Sequence, residues 1–188
     1  PLYKANRDAP PEDLIPQFPL IHKAVEAFNI KCISQIGYEA DDLIATYSKI
    51  ATKRNIKTII ISGDKDLMQL IDNNVRMYDP MPGKERFIDI NGVQDKFGVA
   101  PDKVVDVQAL AGDTTDNIPG VPGIGVKIAS ELINEYHTLE GLLSNAKEIK
   151  QNKRRENLLK YAEDARISYQ LALLDASSSI AVSYTHLT

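Results

Sequence analysis

Seven acidic side chains fall in three short clusters of the sequence, and their spacing suggests chemistry at phosphate groups. The clusters are GYEADD, SGDKD and GDTTDN, which contribute Glu39, Asp41, Asp42, Asp64, Asp66, Asp113 and Asp116. Carboxylates that face one another repel strongly unless cations lie between them. Hard divalent ions, Mg²⁺ or Mn²⁺ above all, prefer such oxygen ligands. A pocket of this kind favours in-line displacement at a phosphate.

Each acidic cluster also has an explanation that involves no metal. Acids in the first turn of a helix complement its dipole, and Asp64 or Asp113 could simply cap the helix or turn that follows it. Glu39 and Asp42 stand three residues apart, which lets the pair share a helix face. Asp64 follows an apolar run typical of a strand, and ligand sites of open α/β sheets lie at the carboxyl ends of strands. Because three clusters fall at three such connections, the sequence favours a metal site over capping alone.

The elements that must position these acids are those of an α/β sheet. Apolar spacing predicts a helix over residues 14–28 and another after Gly37. The β-branched run KTIIIS predicts a strand buried on both faces, as in parallel sheets. Three further runs predict short strands: KCISQ, VRMYD and RFIDI. The alternation of helices and strands indicates a mostly parallel sheet with flanking helices.

After Asn91 the pattern becomes helical. The predicted helices cover roughly residues 92–97, 102–111, 125–136 and 153–174. We therefore predict a sheet-containing core over 1–95, a helical subdomain over 96–175 and an unassigned tail over 176–188. A basic run follows the third helix, at Lys147, Lys150, Lys153, Arg154 and Arg155. Such runs are usually just solvated, but this one could also follow duplex phosphates.

The segment GVPGIGVKIASEL is the second strong signal. Gly120, Gly123 and Gly125 permit a tight turn and close backbone approach immediately before a predicted helix. Exposed amides at that helix start could bind a phosphate without reading base sequence, and Lys127 adds a charge one turn in. The alternative is a common Gly/Pro turn between two packed helices.

Composition is that of an ordinary globular protein, and the bulk charge does not decide the partner. The chain has 188 residues and a net charge of −4, which at first argues against nucleic acid. Without the seven clustered acids the balance is 22 basic against 19 acidic residues, so the acidity is local. A lone Cys32 excludes an internal disulfide and suits a reducing cytoplasm. No apolar run approaches the ~20 residues of a membrane span. Three histidines, His22, His137 and His186, show no ligand spacing.

These motifs, together with YKANR near the start and SYQLALL near the end, resemble the 5′-nuclease (flap endonuclease) family. Within it, the chain is most similar to the bacterial, polymerase-associated 5′→3′ exonuclease branch, and the similarity covers Tyr3 to Leu174. The resemblance implies a PIN-like α/β core and a helix–hairpin–helix subdomain. It also implies metal-dependent hydrolysis of DNA at 5′ ends, flaps and nicked or branched duplexes, in replication and repair.

The resemblance further implies a role for each group of residues. Glu39, Asp41 and Asp42 would serve a first divalent metal. Asp64, Asp66 and Asp116 would mainly serve a second, with Asp113 nearby. Lys4 and Arg7 match catalytic basic residues that engage the scissile phosphate, with Tyr3 beside them. The hairpin over Gly120, Gly123, Gly125 and Lys127 would grip the duplex, with a monovalent cation held by loop carbonyls.

The chain also departs from the family pattern. An Asp on the family's first strand, and another acid before its basic arch, would both lie before Pro1. We therefore expect an internal fragment, cytoplasmic in a bacterium, monomeric and weakly active alone. Two other functions remain open. The first is a PIN-type ribonuclease, although such enzymes usually lack the hairpin. The second is a non-catalytic DNA-binding fragment.

Overall fold

The computed structural model describes residues 3–83 and 85–179. The helices are α1 (Phe18–Ala27), α2 (Ala40–Lys53), α3 (Ile90–Phe97), α4 (Val104–Ala111), α5 (Val126–Tyr136), α6 (Leu139–Ser144), α7 (Asn152–Lys160) and α8 (Ala162–Ala172). The strands are β1 (Thr58–Ile61), β2 (Val75–Asp79) and β3 (Arg86–Ile88). Short 3₁₀ helices occupy Ile15–Gln17, Lys65–Leu70, Pro101–Lys103 and Ala146–Glu148. None of the described helices is both long and apolar enough to cross a membrane.

The described sheet has the order β1-β2-β3 and is mixed. β1 and β2 pair in parallel, with Thr58 opposite Val75 and Ile61 opposite Tyr78. β2 and β3 pair antiparallel, because the short turn that joins them can only return the chain alongside itself. The predicted α/β fold and the strands at VRMYD and RFIDI are confirmed, whereas the expectation of a mostly parallel sheet fits only the first pairing.

One predicted strand does not form, and another forms with a different burial from the one expected. KCISQ forms no regular structure, and no described strand lies beside it to complete its backbone hydrogen bonds. KTIIIS does form β1, but it is not buried on both faces. Ile60 is 5% exposed, whereas Ile59 and Ile61 are 55% and 70% exposed. Successive side chains of a strand point to opposite faces, so only one face of β1 is covered in the described part of the chain.

The helical half follows the prediction with two changes. The helix predicted over 153–174 is divided at Tyr161 into α7 and α8. The short helix α6 was missed. Its start is fixed by Thr138, whose hydroxyl accepts a hydrogen bond from the Gly141 N–H at 3.0 Å, as expected of an N-cap threonine.

One apolar core joins the sheet to the helices. Ile60 and Met77 of the sheet pack in the same buried cluster as Val107 of α4 and Leu142 of α6. The division predicted at residue 95 stays a prediction, and core residues on both of its sides pack together. The predicted tail over 176–188 falls largely outside the described residues, as does His186.

Candidate functional site

One cavity of about 150 Å³ collects most of the predicted site residues. Its polar lining consists of Tyr3, Lys4, Arg7, Glu39, Asp41, Asp64, Asp66 and Asp116. Apolar side chains from the end of α8 and the residues after it, Leu171, Ala172 and Leu174, complete the wall. We call this site the carboxylate cavity. It joins all three acidic clusters, which lie up to 77 positions apart in sequence, from Glu39 to Asp116.

The start of α2 brings Glu39 and Asp41 to the cavity. Glu39 is the N-cap residue and forms a capping box with Asp42, whose carboxylate accepts the Glu39 N–H at 3.1 Å. Asp42 also accepts the N–H of Asp175 at 2.9 Å. Asp42 does not line the cavity, because both of its oxygens hold backbone groups. Its predicted metal role stays a prediction.

The end of β1 positions the second cluster. Asp64 accepts the Asp66 N–H at 2.9 Å and so caps the 3₁₀ helix Lys65–Leu70. Capping therefore holds for Asp64, but its side chain still lines the cavity. Asp66 lies inside that 3₁₀ helix and accepts a hydrogen bond from the Gln108 amide of α4 at 2.5 Å.

A closed loop after α4 positions the third cluster. Asp113 and Ile118 exchange two backbone hydrogen bonds of 2.9 and 2.8 Å, which closes the loop that carries Asp116. Asp113 itself pairs with Lys65 at 2.5 Å and is not among the residues that line the cavity. Burial tends to raise the pKa of Asp113, but the Lys65 ammonium and the Thr115 N–H outweigh it and lower that pKa. Its predicted place near a metal remains untested.

The turn at the front of the chain is fastened to this loop. The Lys4 N–H donates to the Asp116 carbonyl at 2.9 Å, and the Asn6 amide donates to the Thr114 carbonyl at 2.7 Å. The Lys4 ammonium pairs with Glu39, and the Arg7 guanidinium pairs with Asp116. Two cations therefore face the carboxylates directly, and the predicted contact of Lys4 and Arg7 with the scissile phosphate stays a prediction.

Two of the other acids of the cavity have raised pKa values. Partial burial, followed by the charges of Asp64 and Glu39, raises the pKa of Asp41. Burial also raises the pKa of Asp66, reinforced by Asp64 and opposed by the hydrogen bond from Gln108. Negative charge in this cavity is therefore only partly compensated by Lys4 and Arg7, and additional cations would be attracted to it.

The donor set of the cavity suits a hard divalent ion, because all five of its acidic groups are oxygen ligands. Within residues 3–83 and 85–179, however, no three acidic, histidine or cysteine side chains are gathered so as to hold an ion between them. Glu39 and Asp116 are turned toward Lys4 and Arg7. The oxygen donors of the cavity therefore suit a divalent ion, and two of the five acids are paired with cationic side chains.

The hairpin divides into an inner and an outer part. Gly120 is buried, and its N–H donates to the Ser168 hydroxyl at 3.0 Å. A Cβ at Gly120 would overlap with the backbone of Gly112. The Gly120 amide is therefore used inside the protein, and the predicted part of Gly120 in gripping DNA stays a prediction.

Gly123 and Gly125 lie on the outer part, and both are exposed. Gly125 is the N-cap of α5, no side chain caps that helix end, and Lys127 is exposed in its first turn. A neighbouring cavity of about 190 Å³ is lined by the hairpin and by Lys153 and Arg154 of α7. The basic run thus lies next to the hairpin.

Sequence spacing gave no sign of two polar residues at the site. Lys65 was passed over between two acids of its own cluster, although it neutralises Asp113. Gln108 lies in the mainly apolar helix sequence VVDVQALA. A glutamine within such a run is the available sequence signal, and in the structure its side chain is only 5% exposed.

The sequence matches two parts of one family. Residues 1–98 match the 5′-3′ exonuclease N-terminal resolvase-like domain, and residues 99–188 match the 5′-3′ exonuclease C-terminal SAM fold. DNA polymerase I of Rhizobium leguminosarum is 54% identical over 172 residues, which is 92% of this chain. The chain spans only 17% of that polymerase.

Two solved structures share the fold. The T5 5′-exonuclease with bound divalent zinc ions superposes with a TM-score of 0.81 at 26% identity, over 93% of this chain and 68% of that one. The bacteriophage T5 D15 flap endonuclease, in a pseudo-enzyme-product complex with DNA and metal ions, gives 0.78 at 24% identity, over 94% and 67%.

Proposed function

The chain belongs to the 5′-3′ exonuclease family, and on that premise we propose that it hydrolyses DNA phosphodiester bonds with divalent metal ions. The proposed substrates are 5′ ends, flaps and nicked or branched duplexes. The polymerase relative suggests that the parent protein is a DNA polymerase I that acts in replication and repair in the bacterial cytoplasm. We also propose that the nuclease works as a monomer.

The observation that carries this proposal is the carboxylate cavity. It combines five acids with two cationic side chains and an apolar wall in one place. Phosphodiester cleavage needs this combination, because the attacking and leaving oxygens require cations on one side and the phosphate oxygens require donors on the other. A helix-capping role would explain Asp64 alone but not its convergence with Asp66 and Asp116.

We propose that Glu39 and Asp41 hold one divalent ion, Mg²⁺ or Mn²⁺, and that Asp64, Asp66 and Asp116 hold a second. Such ions supply an activated water and stabilise the leaving oxygen. The T5 exonuclease, a structure with bound zinc, supports metal dependence in a protein of this fold.

Lys4 and Arg7 would bind the non-bridging oxygens of the scissile phosphate. Arg7 is half exposed, with 52% of its side chain accessible, whereas its partner Asp116 is only 10% accessible. The guanidinium can therefore swing toward a substrate while the carboxylate stays in place. Its fork of donors suits a phosphate, and the Lys4 ammonium, beside the Tyr3 ring at 4.8 Å, adds a second charge.

The outer hairpin would hold the duplex. No side chain caps the N-terminus of α5 at the exposed Gly125, and a helix N-terminus attracts phosphate. Lys127, and Lys153 and Arg154 across the neighbouring cavity, would contact further phosphates. A monovalent cation at the hairpin is also proposed. The carbonyls of Val121 and Pro122 accept N–H groups from Ile124 and Asn157, and each keeps a second lone pair for a cation.

A cleavage assay tests the function. The chain is incubated with a labelled 5′-flap DNA, with or without Mn²⁺ or Mg²⁺. Cleavage is expected only with metal, and Asp116→Asn is expected to reduce the rate more than about 100-fold while DNA binding persists. Asp102→Asn serves as the matched control, because Asp102 lies outside the carboxylate cavity.

Three outcomes would contradict the proposal in different ways. Parental rates for Asp116→Asn would show that the carboxylate cavity is not the catalytic site. Preferential cleavage of a matched RNA would favour the ribonuclease alternative. Metal-independent DNA binding without any cleavage would leave a DNA-binding fragment.

A further inference from the structure

Gln108 is a buried side chain of the helical half that contacts Asp66, one of the acids that line the carboxylate cavity. It lies in the middle of α4, is 5% exposed, and its Nε2 donates to Asp66 Oδ1 at 2.5 Å. Its neighbours along α4 include Val107 and Leu110, which are fully buried. A glutamine in that position costs stability unless its polar atoms are satisfied.

Only half of the Gln108 amide is satisfied. Its Oε1 is buried and has no hydrogen-bond partner among the described residues. An apolar side chain of the same volume would fill the site without leaving an acceptor unpaired. Folding alone therefore does not explain the glutamine, and the side-chain hydrogen bond that it donates to Asp66 points to a role at the cavity.

The same acid is held from a second direction. Gln69 donates both to the Asp66 carbonyl at 2.9 Å and to the Ala172 carbonyl at 3.0 Å. Its own carbonyl accepts the Leu174 N–H at 3.2 Å. Gln69 thus fixes the backbone of Asp66 relative to the cavity wall, which leaves the rotation of the carboxylate to Gln108.

We propose that Gln108 is a positioning residue that orients the Asp66 carboxylate for a divalent ion. The proposal rests on the function proposed above. By donating to one oxygen, Gln108 fixes the carboxylate plane and directs the remaining lone pairs into the cavity. Residues that orient metal ligands in this way typically change metal affinity by about 10- to 100-fold when they are replaced.

Two variants separate orientation from space filling. Gln108→Met keeps the volume but donates no hydrogen bond. Gln108→His keeps a donor, since His Nε2 is as many bonds from Cβ as Gln Nε2. Thr138→Ala is the control, because it removes the N-cap of α6 without touching the cavity. For each protein, Mn²⁺ affinity is measured without DNA, from the free-ion signal in electron paramagnetic resonance, alongside the melting temperature.

We expect Gln108→Met to bind Mn²⁺ at least about tenfold more weakly while melting no lower than the parent, since it also removes the unpaired acceptor. Gln108→His should recover most of that affinity. With flap DNA, kcat should fall in Gln108→Met while KM stays unchanged, because the hairpin is intact.

Parental Mn²⁺ affinity in Gln108→Met, equal affinity in the Met and His variants, or the same loss in Thr138→Ala would each overturn the proposal. If the parent protein neither binds Mn²⁺ nor cleaves DNA, the proposed function itself fails. If instead the parent binds Mn²⁺ and cleaves DNA, and Gln108→Met binds Mn²⁺ as tightly as the parent, only the role proposed for Gln108 fails.

Discussion

At the scale of single residues, neighbouring cations of the basic run make different contacts. Arg155 donates to the Ile149 carbonyl and to Asn152, each at 2.8 Å, and so holds the loop before α7. Lys153 and Arg154 instead line the cavity beside the hairpin. Among the described residues, neither of these two has an ion pair, so their charge is free for a phosphate.

This difference yields a paired test. The double variant Lys153→Ala/Arg154→Ala should weaken duplex binding regardless of base sequence. It should also reduce the slope of log affinity against log salt by about 0.9 per lost phosphate contact, or roughly 1.8 in all. Fluorescence anisotropy over a salt series measures both quantities.

Arg155→Ala is the control, and it removes one positive charge of the same basic run. It should lower the free energy of unfolding, because two hydrogen bonds are lost, and leave the salt slope almost unchanged. If the slope is the same in the double variant and the parent, the basic run is merely solvated.

At the scale of elements, the hairpin contains glycines of two kinds. Gly120 has a φ of +61° and lies against the backbone of Gly112, whereas Gly125 has an ordinary φ of −93° and open space around its Cα. The first glycine is required by packing. The second is required only if something approaches the backbone from outside.

We therefore expect Gly120→Ala to destabilise the fold by about 1–3 kcal/mol, through strain and overpacking. Gly125→Ala should change the unfolding free energy by less than about 0.5 kcal/mol, as is usual for surface positions. Urea unfolding measures the free energy of unfolding of both variants. Equal values would mean that the contact between Gly120 and Gly112 is not rigid.

A second prediction belongs to the junction of α4 and α6. Asp106 of α4 is buried and accepts the Leu139 N–H, the first residue of α6, at 2.7 Å. Burial raises the pKa of Asp106 above the ordinary 3.8, partly offset by that hydrogen bond and by Lys103. The folded state therefore binds this proton more tightly than the unfolded state, and stability from this group falls as the pH rises from 3.8 through the raised pKa.

Asp106→Asn removes this titration but retains an oxygen that can accept the Leu139 N–H. Its stability relative to the parent should therefore increase between acid and neutral pH. Urea unfolding at several pH values measures the difference. A difference that is constant with pH would show that Asp106 titrates alike in the folded and unfolded chains.

The sequence predicted elements where a local pattern was sufficient. VRMYD alternates apolar and polar residues and forms β2, but nothing in KTIIIS revealed that one of its faces is uncovered. Most members of the carboxylate cavity were found from their clusters. The different position of Asp42 could not be found, because a capping box and a ligand pair have the same spacing. Gln108 reaches the site through packing of α4, which no local pattern encodes.

At the scale of the whole molecule, β1 presents an uncovered apolar face and an unpaired edge among the described residues. Ile59 and Ile61 are exposed on a strand that pairs with a described neighbour on only one edge. Phe28, at 77% exposed, and Ile36, fully exposed, add apolar surface elsewhere. Open edges and apolar patches promote association between copies.

We expect this chain to self-associate at high concentration and Ile61→Lys to reduce that association, because a charge on an edge strand opposes further pairing. Sedimentation velocity over a concentration series measures the effect. Leu159→Lys, at an exposed position of α7, is the matched control. Equal association of Ile61→Lys and the parent would exclude the β1 edge as the contact.

Under the proposed function, the ion pairs of Lys4 with Glu39 and of Arg7 with Asp116 would couple the binding of a divalent ion to the binding of a phosphate. A divalent ion that takes either carboxylate releases a cation for phosphate, and a phosphate that takes either cation releases a carboxylate for the ion. Each ligand should therefore raise the affinity for the other by the same factor, as reciprocity requires. Without metal, Lys4 and Arg7 would stay paired with carboxylates, so the protein would bind DNA weakly at the cavity and its affinity would depend on the hairpin.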